Sequence, residues 1–414
     1  MMQLPRSDSG NHHDRVIVAG AGPVGLMLTL KLVRNGVPVT LLESFTESEF
    51  PNQMHRAGSN HPVTLAMYAE VGLYQRLERR GLIAPKFQYW DREHGRMIAE
   101  FDHAAIKDET PYPFVLQCER LKICEEALAI AAESELCDLR MGQPLTGFTQ
   151  DADSVEAITQ APDGTEERIR GRYIVSTEGA RSVVRKALGI EFEGFTYPDR
   201  TINITVKYDF NRHGFSHRNY ISDPGEWMNL FHWIGPPDVW RVHFHTDPGA
   251  SEEDLLKIEN CQAMMQRFMP LDRPYEIVGT RLFTIHQRVA ASFRQGRAIL
   301  AGDAAHVNSP IGGMGMNSGV HDAMNLGDKL IKIWKGEGGE ELLDRYERQR
   351  RTIAIEHVQA QSIRNKKLLT EADPAVRQQN HDELRRIAED PKLARDFVLR
   401  TSMITSLQRA ESIA

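Results

Sequence analysis

Residues 16–44 read VIVAGAGPVGLMLTLKLVRNGVPVTLLES. An apolar run meets a glycine cluster, a helical apolar pattern follows, Asn35-Gly36 makes a turn, and a second apolar run ends at Glu43. That is a complete β-α-β unit. Gly20, Gly22 and Gly25 form G-x-G-x-x-G at the strand-to-helix junction, with Pro23 and Val24 between the last two. The first glycine permits a tight turn, the second lets a pyrophosphate approach the backbone, and the third lets helix and strand pack closely; the helix N-terminus attracts phosphate charge. Glu43 stands near the separation of ~20 residues expected of an acid that accepts hydrogen bonds from an adenosine ribose. These residues predict a dinucleotide site, with a glycine-rich structural turn as the alternative. The unit alone does not separate FAD from NAD.

Around this unit, 414 residues leave room for a large nucleotide-binding domain with a second domain inserted into it. Hydrophobic residues at 41% and charged residues at 26% are ordinary globular usage and exclude a disordered or collagen-like chain. A net charge of −7 with interspersed signs gives no footprint for nucleic acid. Cys118, Cys124, Cys137 and Cys261 lack CxxC or His-rich ligand spacing, so reduced, buried thiols and no metal site are expected. Residues 1–13 are polar and expected to be flexible, without the apolar core of a signal peptide, and no run approaches the ~20 apolar residues of a membrane span. A soluble, cytoplasmic protein is expected, and a homodimer is compatible with this composition.

Further along, Thr64–Arg80 and Arg120–Ala132 carry apolar residues at helical spacing, with Gly72 and Gly81 as punctuation. Segments around 146–158 and 167–173 read as hairpin strands turning at Asp163-Gly164. IVSTEGARSVVRKALG, residues 174–189, is another apolar run that breaks at glycine and opens a helix. Between about Phe192 and Thr284 the chain turns to alternating, aromatic-rich strands, TINITVKYDF, NLFHWIG and VWRVHFH. The strand-then-glycine pattern returns at residue 296, and from Met316 the chain reads as mostly helical.

Residues 296–319, GRAILAGDAAHVNSPIGGMGMNSG, resemble the glycine-aspartate motif of the FAD-dependent aromatic hydroxylases, single-component flavoprotein monooxygenases of the para-hydroxybenzoate hydroxylase type. The resemblance implies that Asp303, after Gly302, holds the ribityl chain and that Pro310 to Asn317, with Gly312, Gly313, Gly315 and Met316, faces the isoalloxazine ring. The physics agrees. A strand ending in Gly302-Asp303 puts a carboxylate at the carboxyl end of a sheet, and the glycines leave bare N–H groups before a helix, where a reduced flavin anion is favoured. Asn308 and Asn317 are equally well read as solvated caps. STEGARSVVR, residues 176–185, resembles the family's Asp-Gly segment for FAD and nicotinamide cofactor, with Glu178 in place of the usual aspartate and with Gly179, Arg181, Ser182 and Arg185 matching. Arg56 in HRAGSNHPVTLAMYAEVGL and Gln117 in FVLQCERL match positions near FAD; Arg120 is a lesser candidate. LLDRYERQRR, residues 342–351, resembles the family's helix after the flavin site, with Gln349 and Thr352 where glutamate and proline are usual.

The family implies an α/β fold in which residues 14–190 and 285–350 form a discontinuous, Rossmann-like FAD-binding domain. Residues 191–284 would be an inserted antiparallel β-sheet domain for substrate, and 351–414 C-terminal helices. It implies that NADH or NADPH visits to reduce FAD, that O₂ adds as a C4a-hydroperoxide, and that one oxygen passes to a phenolic ring. No second Rossmann unit is then needed. A group that takes up the phenol proton would assist. On VWRVHFH, alternation puts Arg241, His243 and His245 on one face and Trp240, Val242 and Phe244 on the other. With Tyr220, His232, Trp233, His286 and Arg288 these are the substrate-side candidates; His232, His243 and Pro310 are the catalytic ones. YDFNRHGFSHRNYISDPGEW, residues 208–227, resembles the corresponding part of para-nitrophenol 4-monooxygenases, which replace a ring substituent para to the hydroxyl. A halogenase's W-x-W-x-I-P element and a disulfide reductase's cysteine pair are absent from the sequence. A lipid-linked substrate and a non-catalytic flavin-binding role stay open.

Overall fold

The computed structural model describes residues 14–53, 58–161, 163–233 and 238–414. Val16–Ala19 is a strand, Pro23–Val33 a helix and Val39–Leu42 the next strand. Both strands are buried along their whole length, as continuous apolar runs in a parallel sheet must be. They belong to a six-stranded sheet in the order Arg294–Gln295, Ala298–Leu300, Tyr173–Ser176, Val16–Ala19, Val39–Leu42, Cys137–Arg140. All neighbours are parallel except the outermost pair, Arg294–Gln295 with Ala298–Leu300. The three strands that end in the glycine motifs are therefore adjacent. Their carboxyl ends, where open α/β sheets bind ligands, bring Gly20, Glu178 and Gly302 to one crevice.

Close packing explains two of the glycines. Gly20 has φ +105°, and a Cβ there would stand 2.7 Å from the Thr177 carbonyl oxygen; one on Gly25 would stand 2.0 Å from Gly20 O. Helix Arg120–Ala132 has the expected bounds. The segment 64–80 divides into Pro62–Glu70 and Tyr74–Leu77, because Gly72 adopts φ +75° and ends the first helix. Leu145–Gln150, Val155–Gln160 and Glu166–Gly171 form a separate antiparallel sheet, with Gly164 at φ +87° in the turn.

The second large sheet departs from expectation in extent. Its eight strands run His306–Val307, Ile277–Ala290, Phe192–Val206, Val239–His245, Met228–Trp233, Arg218–Ser222, Lys86–Asp91, Arg96–Asp102. Two strands come from 86–102, well before 191, and the sheet is antiparallel except where Arg218–Ser222 runs parallel to Lys86–Asp91. The expected alternation is present. One face presents Leu230, Trp240, Val242 and Phe244 to Cys261, Met264 and Met265 of helix Ile258–Phe268. The opposite face carries Tyr89, Arg218, Tyr220, Phe231 and His243, by the pairing of Tyr89 with Tyr220, Arg218 with Phe231 and Asn229 with His243.

The rest is helical: Met314–Trp334, Glu341–Ile353, Ala360–Thr370, Pro374–Glu389, Pro391–Thr401 and Ile404–Glu411. Leu369, Leu384, Phe397 and Ile404 from the last four helices pack on Phe87, Tyr89, Phe101 and Tyr220 of the sheet. Phe101 and Phe397 stack with centroids 4.3 Å apart, and burying such a ring stabilises by about 1.5–3 kcal/mol. No described helix is long and apolar enough to cross a membrane.

Candidate active site

At the crevice, Glu43 is buried and accepts from the Ala21 N–H at 2.8 Å and the Phe45 N–H at 3.0 Å, so the acid braces the glycine loop. The Arg120 guanidinium faces Gly22, where a Cβ would meet its Nη2 at 2.9 Å. Arg120 Nε is buried without a partner, and so is Gln117 Nε2, whose Oε1 is taken by the Ser59 hydroxyl at 2.5 Å. Buried donors of this kind call for an acceptor. Asp303, in the short 3₁₀ turn Gly302–Ala304, is half-buried, and its carboxylate makes no hydrogen bond or ion pair with another described residue. Two helices begin here, Pro23–Val33 and Met314–Trp334. Orphaned donors at Gln117 and Arg120, an Asp303 carboxylate unpaired among the described residues, a bare glycine loop and two helix N-termini fit FAD. When bound, FAD supplies the two-electron chemistry that links NAD(P)H to O₂.

Beneath the motif lies a buried ionic brace. Asp322 accepts from the Gly302 N–H at 2.9 Å and from Arg350 Nε at 2.5 Å, and His306 Nε2 lies 2.8 Å from it. Burial opposes its ionisation, yet Arg350 and His306 hold the carboxyl at about 2. Gly302 has φ +62°, and a Cβ there would press on Val24. Val24 is thus a packing partner of the motif.

Next to these glycines is a pocket. Gly312 and Met314 form one wall, the aromatic sheet face with Phe87, Tyr89, Arg218 and Tyr220 another, and Gln361, Asn365 and Thr401 of the C-terminal helices a third. His61 and His103 complete it. The His61 Nε2–H donates to Gly312 O at 2.9 Å, which leaves Nδ1 as the unprotonated nitrogen; it is buried and has no partner. Burial first, and the Arg218 charge second, hold His61 neutral, and the same two causes push His103 down to about 3. Asn317 ties the site together. Its Oδ1 accepts from the His61 N–H at 2.9 Å, and its Nδ2 donates to Ser59 O at 2.8 Å and Gly313 O at 2.6 Å. It is fully buried, so the cap reading is replaced by a staple between two loops.

Several expected residues are placed elsewhere. His232 lies on the reverse face of the sheet, stacked on Trp240 at 4.6 Å, with its Nδ1 3.0 Å from His217 Nδ1. Alternation puts it opposite His243, so it does not reach the pocket. His243 is on the pocket side, next to Phe231 at 5.8 Å, and burial then Arg241 push it down to about 3. Trp233 is buried under the Arg241 guanidinium at 5.1 Å, and Arg241 pairs with Glu119 beside the flavin cradle. His245 Nδ1 lies 2.9 Å from Asp199, which Lys366 also holds at 2.9 Å. His286 bonds Thr196 and Arg288 bonds Phe192 O on the outer part of the long strands. Glu178 folds back onto its own helix, accepting from Ser176, Ser182, Val183 and Val184. Gly179 beside it has φ +85° and open space where a Cβ would stand, while Arg181 is exposed. Arg185 is buried, bonded to Ala304 O at 2.9 Å and Ala180 O at 2.6 Å. Pro310 is exposed at the start of the glycine turn, Gly315 adjoins Asn308, and Met316 adjoins Gly58. Arg56 lies outside the described residues.

Sequence reasoning missed His61, His103, Phe87, Tyr89, Arg218 and the C-terminal Asn365. His61 stood two residues after Ser59 in a segment already matched to the flavin site, which was its one signal. Arg218 carried none, since a lone arginine on a strand reads as surface.

A family model described as FAD binding domain matches residues 14–361. The chain is 32% identical over 389 residues to para-nitrophenol 4-monooxygenase of Pseudomonas sp. (strain WBC-3), covering 93% of this chain and 94% of that one. It is 28% identical over 361 residues to 6-hydroxy-3-succinoylpyridine 3-monooxygenase of Pseudomonas putida, covering 87% and 90%. The crystal structure of p-nitrophenol 4-monooxygenase from Pseudomonas putida DLL-E4 superposes with a TM-score of 0.88 at 31% identity, covering 94% of this chain and 98% of that one. With a family model spanning most of its length and relatives matched along nearly the whole chain, the chain belongs to the FAD binding domain family and is a flavoprotein aromatic monooxygenase, using FAD, NAD(P)H and O₂.

Proposed function

We propose that the substrate is a small, single-ring phenol and that oxygen is inserted at the ring carbon para to the hydroxyl, where a substituent can be replaced. The observation that carries this is the pocket itself, walled by the rings of Phe87, Tyr89 and Tyr220 and closed by the C-terminal helices against Gly312. Aromatic walls with a few polar anchors suit a phenolic ring. The full-length likeness to para-nitrophenol 4-monooxygenase supports the same reading. In it, Tyr220 orients the ring, neutral His61 and His243 offer acceptors without adding charge, and Leu369, Phe397 and their neighbours keep water out. The cytoplasm is the proposed compartment, supported by four cysteines that are all free thiols. The test is a panel of para-substituted phenols given to the FAD-loaded protein. A substrate raises NAD(P)H oxidation above the basal rate and yields a product that carries one atom of labelled O₂. If every phenol leaves the rate basal, the reading is wrong.

A further inference from the structure

His217 and His232 lie away from the pocket, on the reverse face of the eight-stranded sheet, and the flavin chemistry uses neither. Antiparallel register sets Arg218 against Phe231, so the residues next outward, His217 and His232, stand opposite each other. The His232 N–H donates to His217 O at 3.0 Å, which fixes the two backbones. His232 is in turn paired with Trp240, and the two rings stack at 4.6 Å with planes 2° apart, so one imidazole is held against a buried indole. The imidazole centroids are 5.0 Å apart and the two Nδ1 atoms 3.0 Å apart. Two ring nitrogens facing each other at that distance need a proton or a cation between them. Nitrogens bound to one metal at about 2.0–2.1 Å, with an angle between the right and the tetrahedral, lie about 2.8–3.4 Å apart, so the pair already has the bite of a chelate. Both rings are half-buried, open enough for an ion to reach. Burial, ahead of other causes, pushes both imidazoles below their ordinary value and keeps them in the neutral form that ligates. Asp209 acts on both rings and Asp238 on His232, so the surround is negative and suits a cation.

We infer that His217 and His232 form a two-imidazole site for a divalent late transition metal, copper(II) most tightly, held through both Nδ1 atoms of a cross-strand pair. Among the described residues no three or more His, Cys, Asp or Glu side chains gather as a metal cage, so this pair supplies two ligands and water completes the shell. Without metal, one imidazole is the Nδ1–H tautomer and donates to the other. Metal entry moves that proton to Nε2, and both Nδ1 lone pairs then bind the ion with no net proton release. Imidazole donors place copper(II) ahead of nickel(II) and zinc(II), and they leave magnesium unbound, because that ion takes oxygen ligands. The strands so joined carry Arg218, Tyr220 and Phe231 on their other face, so the metal clamps a wall of the pocket from behind. The site does not depend on which substrate the pocket takes.

The test is titration of the FAD-loaded full chain with Cu²⁺, Ni²⁺, Zn²⁺ and Mg²⁺, read by calorimetry and by tryptophan fluorescence, since Trp240 lies against His232. His12 and His13 are a second imidazole pair in the sequence, so the background protein carries His12→Gln and His13→Gln. One equivalent of Cu²⁺ should bind and quench the tryptophan emission, with Ni²⁺ and Zn²⁺ weaker and Mg²⁺ without effect. Removing a group that merely supports a ligand costs about 10- to 100-fold in metal affinity, so His217→Gln and His232→Gln should each weaken Cu²⁺ binding by at least about 10-fold. Trp240→Phe should lose most of the quenching and keep the stoichiometry. Should a histidine variant fail to retain FAD, the electron paramagnetic resonance of Cu²⁺ on the background protein decides the matter, with hyperfine coupling to two imidazole nitrogens expected. No binding of Cu²⁺, binding that survives both histidine substitutions, or a spectrum without coupling to two imidazole nitrogens overturns the proposal and leaves the pair as a hydrogen-bonded staple.

Discussion

Arg120 and Gln117 each keep a buried donor, and Asp303 a carboxylate, with no hydrogen-bond partner among the described residues, so flavin affinity should reside in these three side chains. Arg120→Met is expected to weaken FAD binding by about 1.5–3 kcal/mol, the range for a lost hydrogen bond to a charged group, and Asp303→Ala by about 1–3 kcal/mol. Quenching of flavin fluorescence on titrating the apoprotein measures both. Glu178 should behave differently. Its carboxylate caps the helix Val183–Ala187 through two backbone N–H groups and two serines, so Glu178→Ala should lower stability by about 1–2 kcal/mol in urea while FAD-saturated protein still turns over. A lost flavin reduction step at unchanged stability would show that the family's contact persists there. The glycines, Glu43 and Asp303 were legible in the sequence because local spacing determines their place. Arg218 and His61 were not, since their roles come from who stands opposite them across the sheet. His232 was misplaced because alternation was applied to Val239–His245 and not carried across the strand pairing to Met228–Trp233.

Helix Ala360–Thr370 is the element that joins the eight-stranded sheet to the glycine wall of the pocket. Asn365 faces Gly312, and the next residue, Lys366, grips Asp199 at 2.9 Å and lies over the Tyr197 ring at 3.9 Å. Burial works against Asp199, yet His245 and Lys366 hold its carboxyl at about 2. Lys366→Met should therefore cost about 1–3 kcal/mol of stability and loosen this wall. FAD content should stay normal, and hydrogen peroxide released per NAD(P)H consumed should rise, because a looser wall admits water. A peroxide yield equal to wild type would separate the ion pair from closure. At this scale the helix from Met314 and the strand-to-glycine junctions were foreseen from periodicity. Strands Lys86–Asp91 and Arg96–Asp102 were assigned to no sheet, because KFQYWD alternates like any strand and its partner Arg218–Ser222 lies far along the chain.

Across the whole molecule, His103, His243 and His321 each sit at about 3 through burial, with a nearby arginine adding to it, and His61 is also held well below its ordinary value. Each is neutral when folded and protonates near 6.5 when unfolded, so the unfolded chain binds more protons between those values. The stability they contribute is whole above about pH 6.5 and is lost as pH falls toward 3, at up to about 1.4 kcal/mol per pH unit for each histidine. Urea midpoints at pH 7.5, 6 and 5 should fall progressively, and His103→Gln should flatten the slope by close to one proton. A midpoint independent of pH over that range would contradict the burial of these rings. The adjacency of the three glycine-ended strands has one more consequence, in time rather than in energy. The Thr177 hydroxyl meets Ala19 O across 158 residues of chain, and Arg185 meets Ala304 O across 119. Loops of that length close slowly. Refolding from denaturant should thus show early helix formation, a late rise of flavin quenching when the central strands register, and an interval between them in which the aromatic face is open and prone to self-association.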